Sequence, residues 1–248
     1  MKDLFEGVYL KHQKNGESIC FIAGRAGETR FVQVITNGTV RQYDGAQGFC
    51  FGEEGVAAEL PGVQGAVRYG PLSPLRTDIM GPFRFAPGME CRHRVLSLGH
   101  SLSGRLRLNG RTCRLDGGTG YIEGDRGRSF PERYTWTQCN TFASRTAGVM
   151  LSAATIPYLG LHFTGCLASV WDQGREIRRP IRGPGSLCGS PGGWCWNGEE
   201  PGWRPRCSRR PRIPLWPRIP AGWPVPSMNT PAAPSGTAFS GTGTCAST

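Results

Sequence analysis

Glu123 and Asp125 stand two residues apart in GYIEGDRGRSFPERYTWTQCN, residues 120–140. In an extended chain, positions i and i+2 share one face of the sheet. Two carboxyls held that close do not readily both ionise, so one tends to stay protonated and can serve as a general acid. An apolar setting strengthens the effect, because desolvation penalises the carboxylate. Asp125 is the expected acid with Glu123 as its modulator, or the reverse. Tyr121, Tyr134 and Trp136 also alternate and offer an aromatic lining. Gln138 and Asn140 are placed to orient a ligand hydroxyl. Arg126 and Arg128 lie on the alternate side, or one of them folds back to hold a carboxylate, and Arg128 is counted among the ligand-binding residues. Together the stretch reads as the mouth of a hydrophobic pocket. The plainer reading is a turn with solvated charges, its carboxylates and arginines forming a structural ion-pair cluster.

The remaining chemistry-bearing residues are scattered. Ten cysteines include no CxxC pair, and there is no HxxxH. Cys91 and His93 are the close Cys/His couple, read as a buried thiol beside an exposed imidazole, so no metal site is expected. His100 and His162 read as structural.

Strands must position the acidic pair. ICFIAG and RFVQVIT are strand-like runs, and GRLRLNGRTCRLDG alternates Arg and Leu around an Asn109-Gly110 turn, a strong hairpin signal. LGLHFTGCLASVW followed by Asp172-Gln173-Gly174 reads as a strand entering a second hairpin. No window carries a helical apolar stripe. Turn residues recur every ten or so positions, as in a sandwich or barrel. The expected fold is therefore all-β, with antiparallel sheets.

The chain's 248 residues suffice for one large β-domain or two smaller ones, and the net charge is +11. That charge is uneven. Residues 177–248 contribute +7 and residues 1–176 only +4, without a Lys/Arg run. The body is thus only mildly basic, which argues against nucleic acid as a partner. No apolar run reaches a membrane span, and the N-terminal stretch is too polar for a secretory signal and too acidic for a transit peptide. A cytoplasmic location is the expectation.

Residues 177–248 have a different grammar. They hold 13 of the 20 prolines and five of the seven tryptophans, but few branched or aromatic core residues. Such a segment buries too little apolar area to offset its ordering entropy and reads as a disordered tail. Five tryptophans fit that poorly. A reading frame slipped by one nucleotide explains them: each Trp-Pro becomes Ala, and Met228-Asn229 becomes Glu. Permitted wobble bases turn Arg178 to Ser186 into ATYTGARV. The expected division is a β-domain over 1–176 and an out-of-frame tail over 177–248.

Several blocks, in order, resemble the tocopherol cyclase family in its shorter bacterial form. Phe5 to His12 (FEGVYLKH) is similar to the family's FEGWYFKH. Gly24-Arg25-Ala26 with Phe31 to Ile35 matches the next block, and Asp78 to Phe83 with Met89 to His93 matches the middle. Gly120 to Asn140 matches the signature, followed by Ile156-Pro157 and Val170-Trp171. Val8 departs from the pattern, standing where the family has Trp. Family members continue with an ATYxGAR-like strand, the one that the slipped frame offers.

The resemblance implies two lipocalin-like barrels or half-barrels, the second incomplete here, with a ligand site in or between them. It implies cyclisation of a prenylated hydroquinone to a chromanol, begun by protonating a prenyl double bond, with no redox cofactor and no metal. Tyr9 and Glu6 would contribute from the other barrel. Water reaching the carbocation would give an alcohol, so the pocket must be dry. The partner implied is a small hydrophobic isoprenoid or quinol, with peripheral membrane contact compatible and no oligomeric state specified. The alternative is a non-catalytic lipocalin-like carrier of such a ligand.

Overall fold

The computed structural model describes residues 4–131, 133–142, 147–158, 161–172, 175–178, 186–190 and 193–197. Met1–Ile181 together with Thr242–Thr248 forms one compact unit, and Arg182–Gly241 forms another.

In the first unit the chain runs β1 (Phe5–Lys14), β2 (Glu17–Ala26), β3 (Thr29–Thr36), β4 (Val40–Asp44), β5 (Phe49–Gly52), β6 (Gly55–Leu60) and β7 (Val63–Tyr69). A 3-10 turn at Gly81–Phe85 leads into β8 (Cys91–Leu108), β9 (Arg111–Arg114) and β10 (Thr119–Gly127). These strands make one antiparallel sheet in the order β4-β3-β2-β1-β10-β8-β7-β6-β5, with β9 added beside β8. β11 (Arg133–Cys139), β12 (Gly148–Tyr158), β13 (Leu161–Asp172) and β14 (Arg175–Arg178) form a second, four-stranded sheet in sequence order.

The large sheet folds over along β8. Residues 91–101 of that strand pair with β10, whereas residues 102–108 pair with β7. Gly104 supports the passage with φ 128°, and a Cβ there would strike the Ala66 carbonyl region, 3.2 Å from the Val67 Cα. The fold-over brings Leu10, Phe21 and Val34 against Val56, Val67 and Leu106 in one apolar core. Leu10, Phe21 and Leu106 are fully buried, each worth roughly 1.5–3 kcal/mol of transfer free energy. The two edges approach through side chains: Arg41 donates to Asn109 Oδ1 at 2.8 Å, and the Tyr43 hydroxyl to the Pro61 carbonyl at 2.8 Å. Among the described strands β4 and β5 share no ladder, so the barrel does not close.

The expected turn at Asn109-Gly110 is present. Both residues have positive φ, 49° and 88°, the requirement of a type I′ turn, and Leu108 pairs with Arg111. Asp172 likewise pairs with Arg175 across the second expected hairpin. The all-β expectation therefore holds, as half-barrels rather than closed barrels. Among the described residues β14 is the last strand of its sheet, which leaves that sheet open.

β14 carries the β-domain to residue 178, two past the composition change. In the second unit β15 (Ser186–Ser190) and β16 (Gly193–Asn197) form a two-stranded hairpin. The reading of a disordered, out-of-frame tail otherwise falls outside the described residues. Cys20, Cys91, Cys113, Cys139 and Cys166 are free thiols, whereas Cys50 is disulfide-bonded, so the cysteines carry no argument for a reducing compartment.

Candidate active site

β1 and β10 are adjacent, and both are lined on two faces. Val8, Leu10 and Ile122 point into the main core. Tyr9 and Tyr121 point the other way, into a second cluster with Ile79, Met80, Val95, Leu98, Met150, Trp136 and Trp171. That cluster joins the large sheet to the four-stranded one. Glu123 lies between Tyr121 and Asp125 on this face and is paired across the ladder with Tyr9.

Glu123 is 7% exposed. Three groups converge on its Oε2: the Tyr121 hydroxyl donates at 2.7 Å, the Trp136 indole at 3.0 Å, and His93 Nε2 lies at 3.5 Å. Among the described residues no donor reaches Oε1. Burial pushes the carboxyl up to about 7, against the opposing pull of His93 and the two hydrogen bonds, with the Asp125 charge pushing the same way. Tyr9, Tyr121 and Trp136 gather beside it, their ring centroids 5.7 to 6.5 Å from one another, edge-on or tilted.

Asp125 sits nearer solvent, its side chain 27% exposed, and binds His93 Nδ1 at 2.8 Å. Burial works to lower the His93 imidazole. The hydrogen bond that His93 donates to Asp125 and the charges of Glu123, Asp125 and Asp78 outweigh it, so its pKa is raised. The result is a chain Asp125–His93–Glu123, a carboxylate holding an imidazole against a protonatable acid. Such a set can hold a proton on Glu123, deliver it, and take one back. Among the described residues no three of His, Cys, Asp or Glu form a group that could hold a metal ion, and Cys91 Sγ lies 3.9 Å from Asp125 Oδ1.

The candidate residues divide. Glu123, Asp125, Tyr121, Trp136 and Tyr9 are brought together. Tyr134 is half-exposed at the rim. Gln138 Oε1 accepts from Lys11 Nζ at 2.9 Å. Asn140 is buried and donates to the Gly120 carbonyl at 2.8 Å, which ties the end of β11 to β10. Glu6 points off the other face of β1 and pairs with Arg25 at 3.1 Å, away from the cluster. Arg126 and Arg128 are exposed, and neither holds a carboxylate of the pair. Val8 packs into the main core, so the missing aromatic there does not reshape the Glu123 face.

Sequence reasoning missed two residues. His93 was read only with Cys91; its partner lies 32 residues on, and the antiparallel register His93↔Asp125 joins them. Lys11 alternates with Tyr9 on a strand apolar on both faces, a signal that a lysine there is not simply solvated. A separate concavity at Val34, Thr36, Arg41, Val63 and Asn109 shares no residue with this cluster.

No family model matches the chain, and no curated protein matches it. Among solved structures, CghA is similar with a TM-score of 0.50 at 10% identity, covering 71% of this chain and 60% of CghA. Kievitone hydratase from Nectria haematococca aligns with a TM-score of 0.45 at 14% identity, covering 72% of this chain and 64% of that one. The chain thus spans less than two thirds of either neighbour's length. At such identity the likeness to CghA is one of fold.

Proposed function

We propose that the chain binds a prenylated quinol or similar amphipathic isoprenoid between its two sheets and cyclises it to a chromanol. The observation that carries this reading is Glu123: a carboxyl buried among aromatic rings, pushed up to about 7, with its donors gathered on Oε2 and Oε1 left to bear a proton. Oε1 gives that proton to the prenyl carbon that leaves a tertiary cation. Tyr9, Tyr121 and Trp136 stabilise the cation through their ring faces, at roughly 0.5–2 kcal/mol each. The phenolic oxygen closes the new C–O bond and releases its proton to the Glu123 carboxylate. His93, held by Asp125, steadies that carboxylate while it is charged. Atoms and protons balance, and the product is an isomer of the substrate. The sequence blocks that resemble tocopherol cyclases support the same chemistry.

The test is turnover of a geranylated hydroquinone, with chromanol identified by mass and chromatography. Glu123→Gln and Asp125→Asn should lose turnover and keep binding. Unchanged product formation in both variants removes these residues from the mechanism.

A second reading, a non-catalytic carrier, is favoured by the open four-stranded sheet, since water entering there would trap a cation. Binding by the unaltered chain without turnover of any kind would select it. A tertiary alcohol in place of the chromanol would instead show a hydrating enzyme. Phe85, 72% exposed with Arg84 stacked on its ring at 4.3 Å, supports peripheral membrane contact as the source of such a ligand. The proposed frame slip over 177–248 would supply strands beyond β14. Coding DNA read across codons 170–190 tests it, and independent clones agreeing with the frame as written would remove it.

A further inference from the structure

Lys11 and Gln138 form an arrangement that the acid chemistry does not use. Lys11 lies on β1 two residues beyond Tyr9, on the face that carries the aromatic cluster, and pairs across the ladder with Tyr121. Gln138 lies on β11 two residues beyond Trp136, on the face that opposes it. The Lys11 ammonium donates to Gln138 Oε1 at 2.9 Å. Among the described residues no carboxylate comes within ion-pair distance of Nζ. One of its three donors is thereby used, on a neutral acceptor. The Gln138 amide nitrogen is buried and has no hydrogen-bond partner.

Buried donors are nearly always satisfied, and each left unmade costs about 1–3 kcal/mol. Lys11 is half-buried, and partial loss of water disfavours its charged form. Burial accordingly lowers the Lys11 ammonium from its usual range. Two donor groups from opposite sheets, the Gln138 amide without a partner among the described residues and the Lys11 ammonium with donors to spare, stand beside the aromatic rings and describe the complement of an oxygen. Lys11 stands about 7 Å along the strand from Tyr9, which pairs with Glu123, so an oxygen held at Lys11 lies on the same face as the acid.

We propose that Lys11 and Gln138 are an oxygen-anchoring subsite, taking a phenolic or quinone oxygen of the ligand ring and turning the ring's prenyl-bearing edge toward Glu123. This rests on the reading of the face as a quinol site and names the group that sets ligand class there. An isoprenoid without a ring oxygen leaves the Gln138 amide unpaired and Lys11 with Gln138 Oε1 alone, and binds more weakly.

The experiment compares the dissociation constants of geranylated hydroquinone and geranylbenzene by quenching of tryptophan fluorescence in the full chain. The unaltered protein should prefer the hydroquinone by roughly 10- to 100-fold. Lys11→Met and Gln138→Leu should each remove most of that preference and leave geranylbenzene affinity unchanged. Lys11→Arg should restore much of it, and Glu123→Gln should leave it intact. Thermal melts of each variant separate loss of the subsite from loss of fold. Equal affinity for the two ligands in the unaltered chain overturns the subsite, as does a Lys11→Met variant that weakens both alike. Failure of either ligand to bind overturns the site reading beneath it. Turnover that survives Glu123→Gln overturns the acid assignment and leaves the subsite standing.

Discussion

The two faces of β1 and β10 use the same strands for opposite ends. On one face Leu10, Val8 and Ile122 enter the main core, and the imidazoles of His12 and His100 are buried with it. His12 accepts the Tyr69 hydroxyl at 2.7 Å while its other nitrogen meets the Ile19 carbonyl at 3.1 Å, and His100 meets Ser97 at 2.9 Å. Burial pushes both imidazoles down to about 4. On the other face His93 is also buried, yet the carboxylates of Asp125, Glu123 and Asp78 raise it. A histidine's charge thus follows its neighbours more than its burial. One face keeps its buried imidazoles neutral; the other concentrates titratable groups beside apolar rings, where the proposed chemistry would lie.

Substitutions on the two faces should separate activity from stability. The largest effect is expected for Glu123→Gln, a loss of about 10²- to 10⁴-fold in turnover with little change in melting temperature. A loss of fold in step with activity would erase the distinction. On the core face Leu106→Ala should cost about 2–5 kcal/mol by denaturant titration, with the folded fraction retaining its turnover. Gly120→Ala tests the seam between the faces. A Cβ there would meet the His100 ring, 2.6 Å from Cε1, so about 1–3 kcal/mol of destabilisation is expected. A neutral result would mean that His100 moves freely.

The pH dependence should differ in sign between the faces. His12 and His100 titrate near 4 in the folded chain and near 6.5 when unfolded. The unfolded chain then binds more protons, so their stabilising contribution is full above pH 6.5 and lost as pH falls toward 4. Glu123 is raised from 4.5 to about 7, so its contribution is full below 4.5 and lost as pH rises through 7. His93, also raised, loses its contribution as pH rises through its folded value. Denaturant midpoints measured from pH 4 to 9 should fall on both sides, His12→Leu flattening the acid limb and Glu123→Gln the alkaline one. Turnover should decline above about pH 7, where the acid is no longer protonated.

Much of the site was legible because strand alternation is local. The i, i+2 spacing of Tyr121, Glu123 and Asp125 sets one face of β10 whatever the sheet does. The same rule set Trp136 and Gln138 together on β11. The partners of Glu6 and Asn140 were not legible for one reason: residue type shows capacity for hydrogen bonding, but not which partner stands opposite. For Glu6 the partner is Arg25 on β2, and for Asn140 it is a β10 carbonyl.

By itself the sequence determined the strand class, the Asn109-Gly110 turn and the pairing of two carboxyls on one face, since each depends on residues within a few positions. Only the tertiary structure decided that β8 runs beside β10 and sets His93 against Asp125 over a separation of 32 residues. It alone decided that Glu123 is the dry carboxyl and Asp125 the wetter one, because desolvation depends on what the second sheet covers. Register and burial are properties of the assembled sheets, and no short stretch of chain contains them.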